Sequence, residues 1–282
     1  MKIDVSKGVL LKGITAVQNA ISTRSALPIL SNILLETSKD SLSVVGTDLD
    51  IGIIVTIPVN ITTQGSITVP AKRFMDIIKE LPDAEVSISV KKNNMAHITC
   101  ENTQFKIMGI PKDEFPKLPE LKDKDTIKIS QALFKSMLSM TSFAMSRDEA
   151  RYILNGIHMV IEKNLLRMVA TDGRRLALIE REISLGKNIE KNLIVPAKTI
   201  QELIRNLKEE GDLQISFGEN QVMFNLGDTV IISRLIEGEF PNYEQVIPKE
   251  VKDKVIVDRE KLLLATKRIS LLATQDSQAI KV

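Results

Sequence analysis

The chain has 282 residues, more than one core usually serves, so two domains or more are expected. Apolar residues make up 43% and charged residues 26%, and no run of eighteen apolar residues occurs, which is the pattern of a globular protein without a membrane span. The formal charge is only +2, from 38 basic and 36 acidic residues. A protein that grips nucleic acid by charge alone is normally more basic, so DNA is either no partner or is held by something other than affinity. The N-terminus, MKIDVSKGVLLKG, has neither an apolar core of signal-peptide length nor a small-residue cleavage site, and a cytoplasmic protein is expected.

Residues 1–5 read as a strand leading into a helix with Leu10, Ile14, Val17 and Ile21 on one face. NILLETS, SLSVVGTD and GIIVTIPV then alternate as strands. SITVP leads into a second helix, AKRFMDIIKELP, with Pro70 in the first turn, where no backbone N–H is needed. EVSISVKK, AHITCEN and QFKIMGIP are strands again, and Asn93-Asn94 is a hairpin-turn candidate. PKLPELKDKD is rich in proline and charge and reads as an interdomain linker. The series then begins again: TIKISQALFKSMLSMTSFAM, from residue 126, predicts a strand and a helix with Leu133, Met137, Met140 and Ala144 on the equivalent face. Pro196 takes the role of Pro70, YEQVIPKEVKDK reads as a second linker, and KVIVDREKLLLATKRISLLA, from residue 254, opens as strand and helix once more.

Three landmarks recur in the same order. GTDLD at 46–50 is answered by ATDGR at 170–174, VPAK at 69–72 by VPAK at 195–198, and EFP at 114–116 by EFP at 239–241, offsets of 124, 126 and 125 residues. Near-constant offsets define a repeat. The fold class expected is therefore α+β, in quasi-equivalent domains at 1–122 and 123–250, each made of two strand–helix–three-strand halves, with extended antiparallel sheets. Residues 251–282 read as the incomplete start of a third copy, which at that period would run to about residue 375. That remnant is expected to be poorly ordered or packed on a neighbour, because its apolar face lacks a core.

Chemistry-bearing residues are sparse. Cys100 is the single cysteine, and His97 and His158 sit in alternating stretches where a structural role is expected. Asp48 and Asp50 could suggest an acidic metal pair, but the second copy has Arg174 at the matching place, and a strand-end turn is the better reading, with Gly173 supplying a positive φ. No phosphate loop, dinucleotide fingerprint, zinc-protease motif or nucleophile elbow occurs, so no catalytic residue, metal or cofactor is expected. Each helix carries a few basic residues: Lys7 and Lys12, Lys72 and Arg73, Lys135 with Arg147 and Arg151 beyond it, and Lys198, Arg205 and Lys208. For any one helix a solvated face explains this, yet lysine follows VPA in both copies, which suits sequence-blind contact with phosphates.

The stretches RSALPILSNILLE, VVGTDLD, TVPAKRFMDIIKELP, RYILNGIHM, VATDGRRLAL, IVPAKTIQELIRNL and EGEFPNYEQVIP resemble, in order and spacing, the bacterial sliding clamps, the beta subunits of DNA polymerase III, over the whole of 1–282. The resemblance implies helices lining a pore, sheets outside, and three-domain subunits joined head to tail as a homodimer around duplex DNA, with no catalysis of their own. It implies DNA contacts at Arg24, Lys72, Arg147, Arg151, Tyr152 and Lys198, with Ile153 where the family often has a second aromatic. It implies a peptide pocket for the polymerase III catalytic subunit, the clamp loader and repair proteins at Leu154, Thr171, Gly173, Arg174, Arg175, Leu176, Pro241 and Val246, with Arg174 where the family often has histidine. Plain core packing is the lesser alternative for Leu176. Phe105 is implied as a subunit-interface residue facing the helix that carries Leu271 and Leu272. Three other functions stay open: a peptide-binding scaffold that does not enclose DNA, a nucleotidyl transferase, disfavoured by the lack of a metal-binding acidic set, and a sequence-specific DNA binder.

Overall fold

The computed structural model describes residues 1–21, 27–119, 125–184, 189–248, 254–273 and 280. They form two units, Met1–Phe240 and Pro241–Val282. In the first unit, β1 (Lys2–Ser6) runs straight into α1 (Lys7–Val17), followed by β2 (Asn32–Ser38), β3 (Ser41–Thr47), β4 (Ile51–Pro58) and the short β5 (Asn60–Thr63). Next come β6 (Ser66–Pro70), α2 (Ala71–Glu80), β7 (Glu85–Val90), β8 (Met95–Cys100) and β9 (Thr103–Met108). The second copy repeats the order with β10 (Thr126–Ser130), α3 (Gln131–Thr141), β11 (Gly156–Glu162), β12 (Leu165–Thr171), β13 (Leu176–Glu182), β14 (Lys191–Pro196), α4 (Ala197–Asn206), β15 (Asp212–Phe217), β16 (Gln221–Asn225) and β17 (Thr229–Arg234).

The helices form where apolar residues recur at helical spacing. α2 buries Ala71, Phe74, Met75 and Ile78, and α4 buries Thr199, Ile200, Glu202 and Leu203. Pro70 and Pro196 end β6 and β14 at the N-cap positions, one residue before the first turn in which they were expected. α1 buries Leu10, Ile14 and Val17 as expected, while Ile21 lies beyond a 3-10 turn at Gln18–Ala20. The face expected for α3 is corrected: Phe134, Met137, Leu138 and Thr141 point into the core, and Met140 is 52% exposed. Phe134 wins the inward place because its ring packs on Phe224, with centroids 6.0 Å apart.

Among the described residues every strand pair is antiparallel. The orders are β5-β1-β7-β8-β9, β13-β12-β11-β14, and an eight-stranded sheet β10-β15-β16-β17-β4-β3-β2-β6. The last contains strands of both copies, joined where β17 pairs with β4 from Thr229↔Val55 to Ser233↔Ile51. Ile53 and Ile231 face each other there, both fully buried, and the apolar side chains of both copies make one continuous cluster. The linker expected after the first copy is no loose spacer in its described part. Phe115 is buried on Leu34 and Val45, and Leu118 packs over Gly52, where an added Cβ would stand 2.6 Å from the leucine methyl carbon. Leu118 within the segment, with Phe115 immediately before it, anchors its start against the sheet, despite its prolines and charges.

In the second unit, α5 (Arg259–Ser270) is capped by Asp258, whose Oδ1 accepts from Lys261 N–H at 2.8 Å. It buries none of its residues, and Leu264, Leu271 and Leu272 are 57, 83 and 89% exposed. The strand expected at 254–258 is not formed. The opening strands β1 and β10 pair with β7 and β15, the strands after the second helix of their own copies, and no described strand follows β17 to serve residues 254–258 in that way.

Ile231→Ala removes a fully buried side chain from the join of the two copies and is expected to lower the free energy of unfolding by about 2–5 kcal/mol, read by urea denaturation. Limited trypsin digestion is expected to cut at Lys261, Lys267 or Arg268 of α5 before any site inside β1–β17, as followed by mass spectrometry.

Candidate nucleic-acid interface and partner groove

The two TD landmarks fold into the same turn. In the second copy, Thr171 Oγ1 donates to the Arg175 carbonyl at 2.7 Å and accepts from Gly173 N–H at 3.0 Å, while Asp172 Oδ1 accepts from the N–H groups of Arg174 and Arg175 at 2.9 and 3.0 Å. In the first, Thr47 and Asp48 do the same for residues 49–51. The acidic pair is thus a turn device. Gly173 has φ +84°, as expected of it, and Leu49 holds the equivalent place at φ +81°. Hydrogen bonding, first from the Arg174 N–H and also from the Arg175 backbone and guanidinium, holds the Asp172 carboxyl below its usual range against the opposing effect of burial.

This turn is tied to the loop that carries three of the proposed DNA contacts. Arg151 sits in the 3-10 turn Glu149–Leu154, and its Nη1 donates to the Asp172 carbonyl at 3.2 Å. Its Nε lies 3.6 Å from Asp148, which caps the turn by accepting from Ala150 N–H. Tyr152, 58% exposed, and the exposed Arg147 flank it, so Arg147, Arg151 and Tyr152 are brought together. Lys72 and Lys198 lie apart, in the first turns of α2 and α4. Lys72 is exposed, whereas Lys198 forms an ion pair with Asp48 of the first copy. Arg24 lies outside the described residues.

Of the eight residues proposed for the partner pocket, six stand together. Leu154 ends the 3-10 turn that Arg151 ties to the Asp172 turn, and Thr171, Gly173, Arg174, Arg175 and Leu176 form that turn and the start of β13. Leu154 and Leu176 are half-buried, leaving apolar surface at a polar rim. Pro241 and Val246 belong to the second unit, where Val246 is 70% exposed. Sequence reasoning missed Phe143: it is 59% exposed and has the Arg175 guanidinium 5.8 Å from its ring centre. Its place is held by Asn19 in the first copy, and an aromatic replacing an amide at a repeat position is the signal that could have found it.

His158 is buried, donates from Nε2 to Asn192 Oδ1 at 2.6 Å, and stacks on Phe240 at 4.7 Å. Leu34 and Phe115 occupy the matching places in the first copy, so the histidine's role is structural. Cys100 is buried. Among the described residues no group of three or more His, Cys, Asp or Glu is placed to hold a metal ion, and no helix is long and apolar enough to cross a membrane.

Two linked copies of one strand–helix–three-strand design, doubled within each copy and sharing a sheet, define a repeated-domain clamp architecture. Residues 1–119 match the family model for the DNA polymerase III beta subunit, N-terminal domain, and residues 128–242 that for its central domain. The beta sliding clamp of Chlamydia pneumoniae is 32% identical over 281 residues, 100% of this chain and 77% of the relative, and that of Staphylococcus aureus is 34% identical over 98% and 75%. The solved sliding clamp from Bacillus subtilis superposes with a TM-score of 0.93 at 33% identity, covering 98% of this chain and 75% of that one. A sliding clamp from Pseudomonas aeruginosa bound to griselimycin gives 0.93 at 32%, covering 99% and 76%. The chain belongs to the DNA polymerase III beta subunit family, the bacterial sliding clamps.

Burial lowers the His158 pKa from its ordinary 6.5, the Asn192 bond opposing this and the Arg167 charge adding to it. The unfolded chain therefore takes up a proton near pH 6.5 that the folded chain refuses. The stabilisation is full above that pH and is lost as the pH falls through the lower folded value. His158→Leu, which copies Leu34, is expected to flatten the fall in stability below pH 6.5, measured by urea unfolding at stepped pH. Gly173→Ala is expected to cost about 1–2 kcal/mol by the same assay, since it forces a side chain into left-handed backbone beside Arg151.

Proposed function

We propose that this chain is a non-catalytic, cytoplasmic processivity factor that encircles duplex DNA and tethers the replicative polymerase to it. The observation that carries the reading is the pairing of family membership with charge. The protein is nearly neutral, at +2, yet it presents Lys72, Arg147, Arg151 and Tyr152 at exposed positions. Enclosure holds DNA without a deep binding well, and a deep well would slow sliding. A few phosphate contacts then position the duplex without reading its bases. Lys198 joins this set only if DNA draws it from Asp48, so its share is smaller than that of Lys72. The proposed domains are 1–122, 123–250 and a partial third at 251–282. Phe105 on β9, with Leu271 and Leu272 after α5, are the side chains offered to a second subunit in head-to-tail association.

The partner groove is proposed at Leu154, Thr171, Gly173, Arg174, Arg175 and Leu176, with Pro241 and Val246 added by the resemblance alone, taking a short apolar peptide from the polymerase III catalytic subunit, the clamp loader or repair proteins. Leu154 and Leu176 supply the anchor surface and Phe143 with Arg175 its rim. A second reading, a peptide-binding scaffold that does not enclose DNA, is favoured by one observation: α5 buries none of its residues.

A fluorescence-anisotropy titration with a Gln/Leu/Phe-type polymerase tail peptide is expected to show saturable binding, weakened about tenfold or more by Leu176→Ala. An unchanged affinity would remove Leu176 from the groove. On short linear duplex, binding is expected to be weak and independent of sequence, and Lys72→Ala is expected to reduce the slope of log K against log salt by about 1. Tight, sequence-dependent binding would contradict the reading.

A further inference from the structure

Phe134, Met137, Leu138 and Thr141 fill the core side of α3, which turns Met140 outward. The 3-10 turn that follows, Ser142–Ala144, leaves Phe143 exposed as well. The two lie three residues apart and share one face, with the exposed Ser136 and Ser139 one turn earlier. A single exposed apolar residue needs no explanation, but the repeat supplies a control for this pair. At the matching places of the first copy, α1 and its 3-10 turn carry Ala16 and Asn19, and Lys12 and Thr15 stand where Ser136 and Ser139 stand. The shared fold therefore does not require large apolar groups at these positions. Phosphate contact does not require them either. None of the four positions in the second copy is basic, and the one lysine of α3, Lys135, is paired with Glu209 at 2.6 Å.

This face runs into the groove turn. The Arg175 guanidinium stands over the Phe143 ring at 5.8 Å, and its Nε lies 3.1 Å from Asp172 Oδ2, so ring, guanidinium and turn are held together. Arg174, next to it, is exposed, and among the described residues only its backbone N–H is engaged, by Asp172. Methionine, an aromatic ring and arginine are the residue types enriched where proteins meet other proteins. The flexible thioether of methionine also lets one surface adapt to several partners.

We propose that the partner segment does not end at the Leu154 and Leu176 anchor but continues past Phe143 onto Met140 of α3. This flank of the partner carries an apolar side chain for the Met140–Phe143 face and an acidic one for Arg174. Two features select that occupant. The apolar pair is continuous with the groove through Arg175, so a segment already anchored there covers it without a second independent docking event. The Arg174 charge has no carboxylate partner within the described residues, and an acidic side chain supplies one. A nucleic-acid backbone would meet the arginine but leave Met140 and Phe143 uncovered, and a basic segment would be repelled. The proposal rests on the groove reading and deepens it: the anchor attaches any partner that has it, while the flank on α3 discriminates between partners by what they carry beside it.

The test is a fluorescence-anisotropy titration of the 282-residue chain with three labelled probes: the Gln/Leu/Phe-type tail peptide alone, and the same peptide lengthened by Glu-Met-Glu-Leu at its N-terminus or at its C-terminus. One of the lengthened peptides is expected to bind about tenfold more tightly than the short one. Met140→Ala, which gives α3 the residue that α1 has, is expected to remove most of that gain while changing the affinity of the short peptide by less than about twofold. Replacing both glutamates of the extension by lysine is expected to abolish the gain. No gain from either extension, a gain that Met140→Ala leaves intact, or one that survives the lysine replacement would overturn the proposal. A short peptide that fails to bind at all would instead overturn the groove reading, and the proposal with it.

Discussion

Five antiparallel residue pairs between β4 and β17 make one eight-stranded sheet out of two copies that are otherwise separate designs. The pairing satisfies the backbone groups of two strands that would otherwise be edges. It also aligns Ile53 with Ile231, so that one apolar cluster runs through both copies. Other features of the first unit depend on that join. The Lys198–Asp48 ion pair and the Asn19–Glu202 contact at 3.4 Å both bridge the copies beside it.

The same constraint orders the functional surface. Helices α2 and α4 begin at the ends of β6 and β14, so their first-turn lysines occupy matching places in the two copies. The turns after β3 and β12 carry aspartates that either cap backbone N–H groups or meet those lysines. The turn of the first copy meets Lys198 of the second, and around the turn of the second copy Arg151, Arg175, Phe143 and Leu176 gather.

Much of this was legible in the residues. The offsets near 125 marked the copies, and the apolar spacing marked α1, α2 and α4 and most strands of the halves, but not the short β5. The Thr-Asp turn with Gly173 at positive φ followed from residue type alone. What the residues did not reveal was pairing between distant segments. Periodicity says that β4 and β17 have apolar faces, not that they are neighbours. It says that α3 is amphipathic, yet it assigned Met140 inward, because the choice between Met140 and Phe134 is made by Phe224 across the core. Proline and charge suggested an interdomain linker at 116–125, yet Leu118 within it packs on the sheet. For the site, the resemblance supplied the positions, and the structure joined six pocket residues through Arg151, while Phe143 was invisible to any motif.

The central claim is that DNA is held by enclosure and not by affinity. Its most direct measurement is the lifetime of the protein on a nicked circular duplex after loading, compared with the same DNA cut once, at a salt concentration that abolishes binding to short linear duplex. The account predicts retention on the circle and rapid loss from the cut molecule. Equal lifetimes on the two would contradict it and favour the scaffold reading.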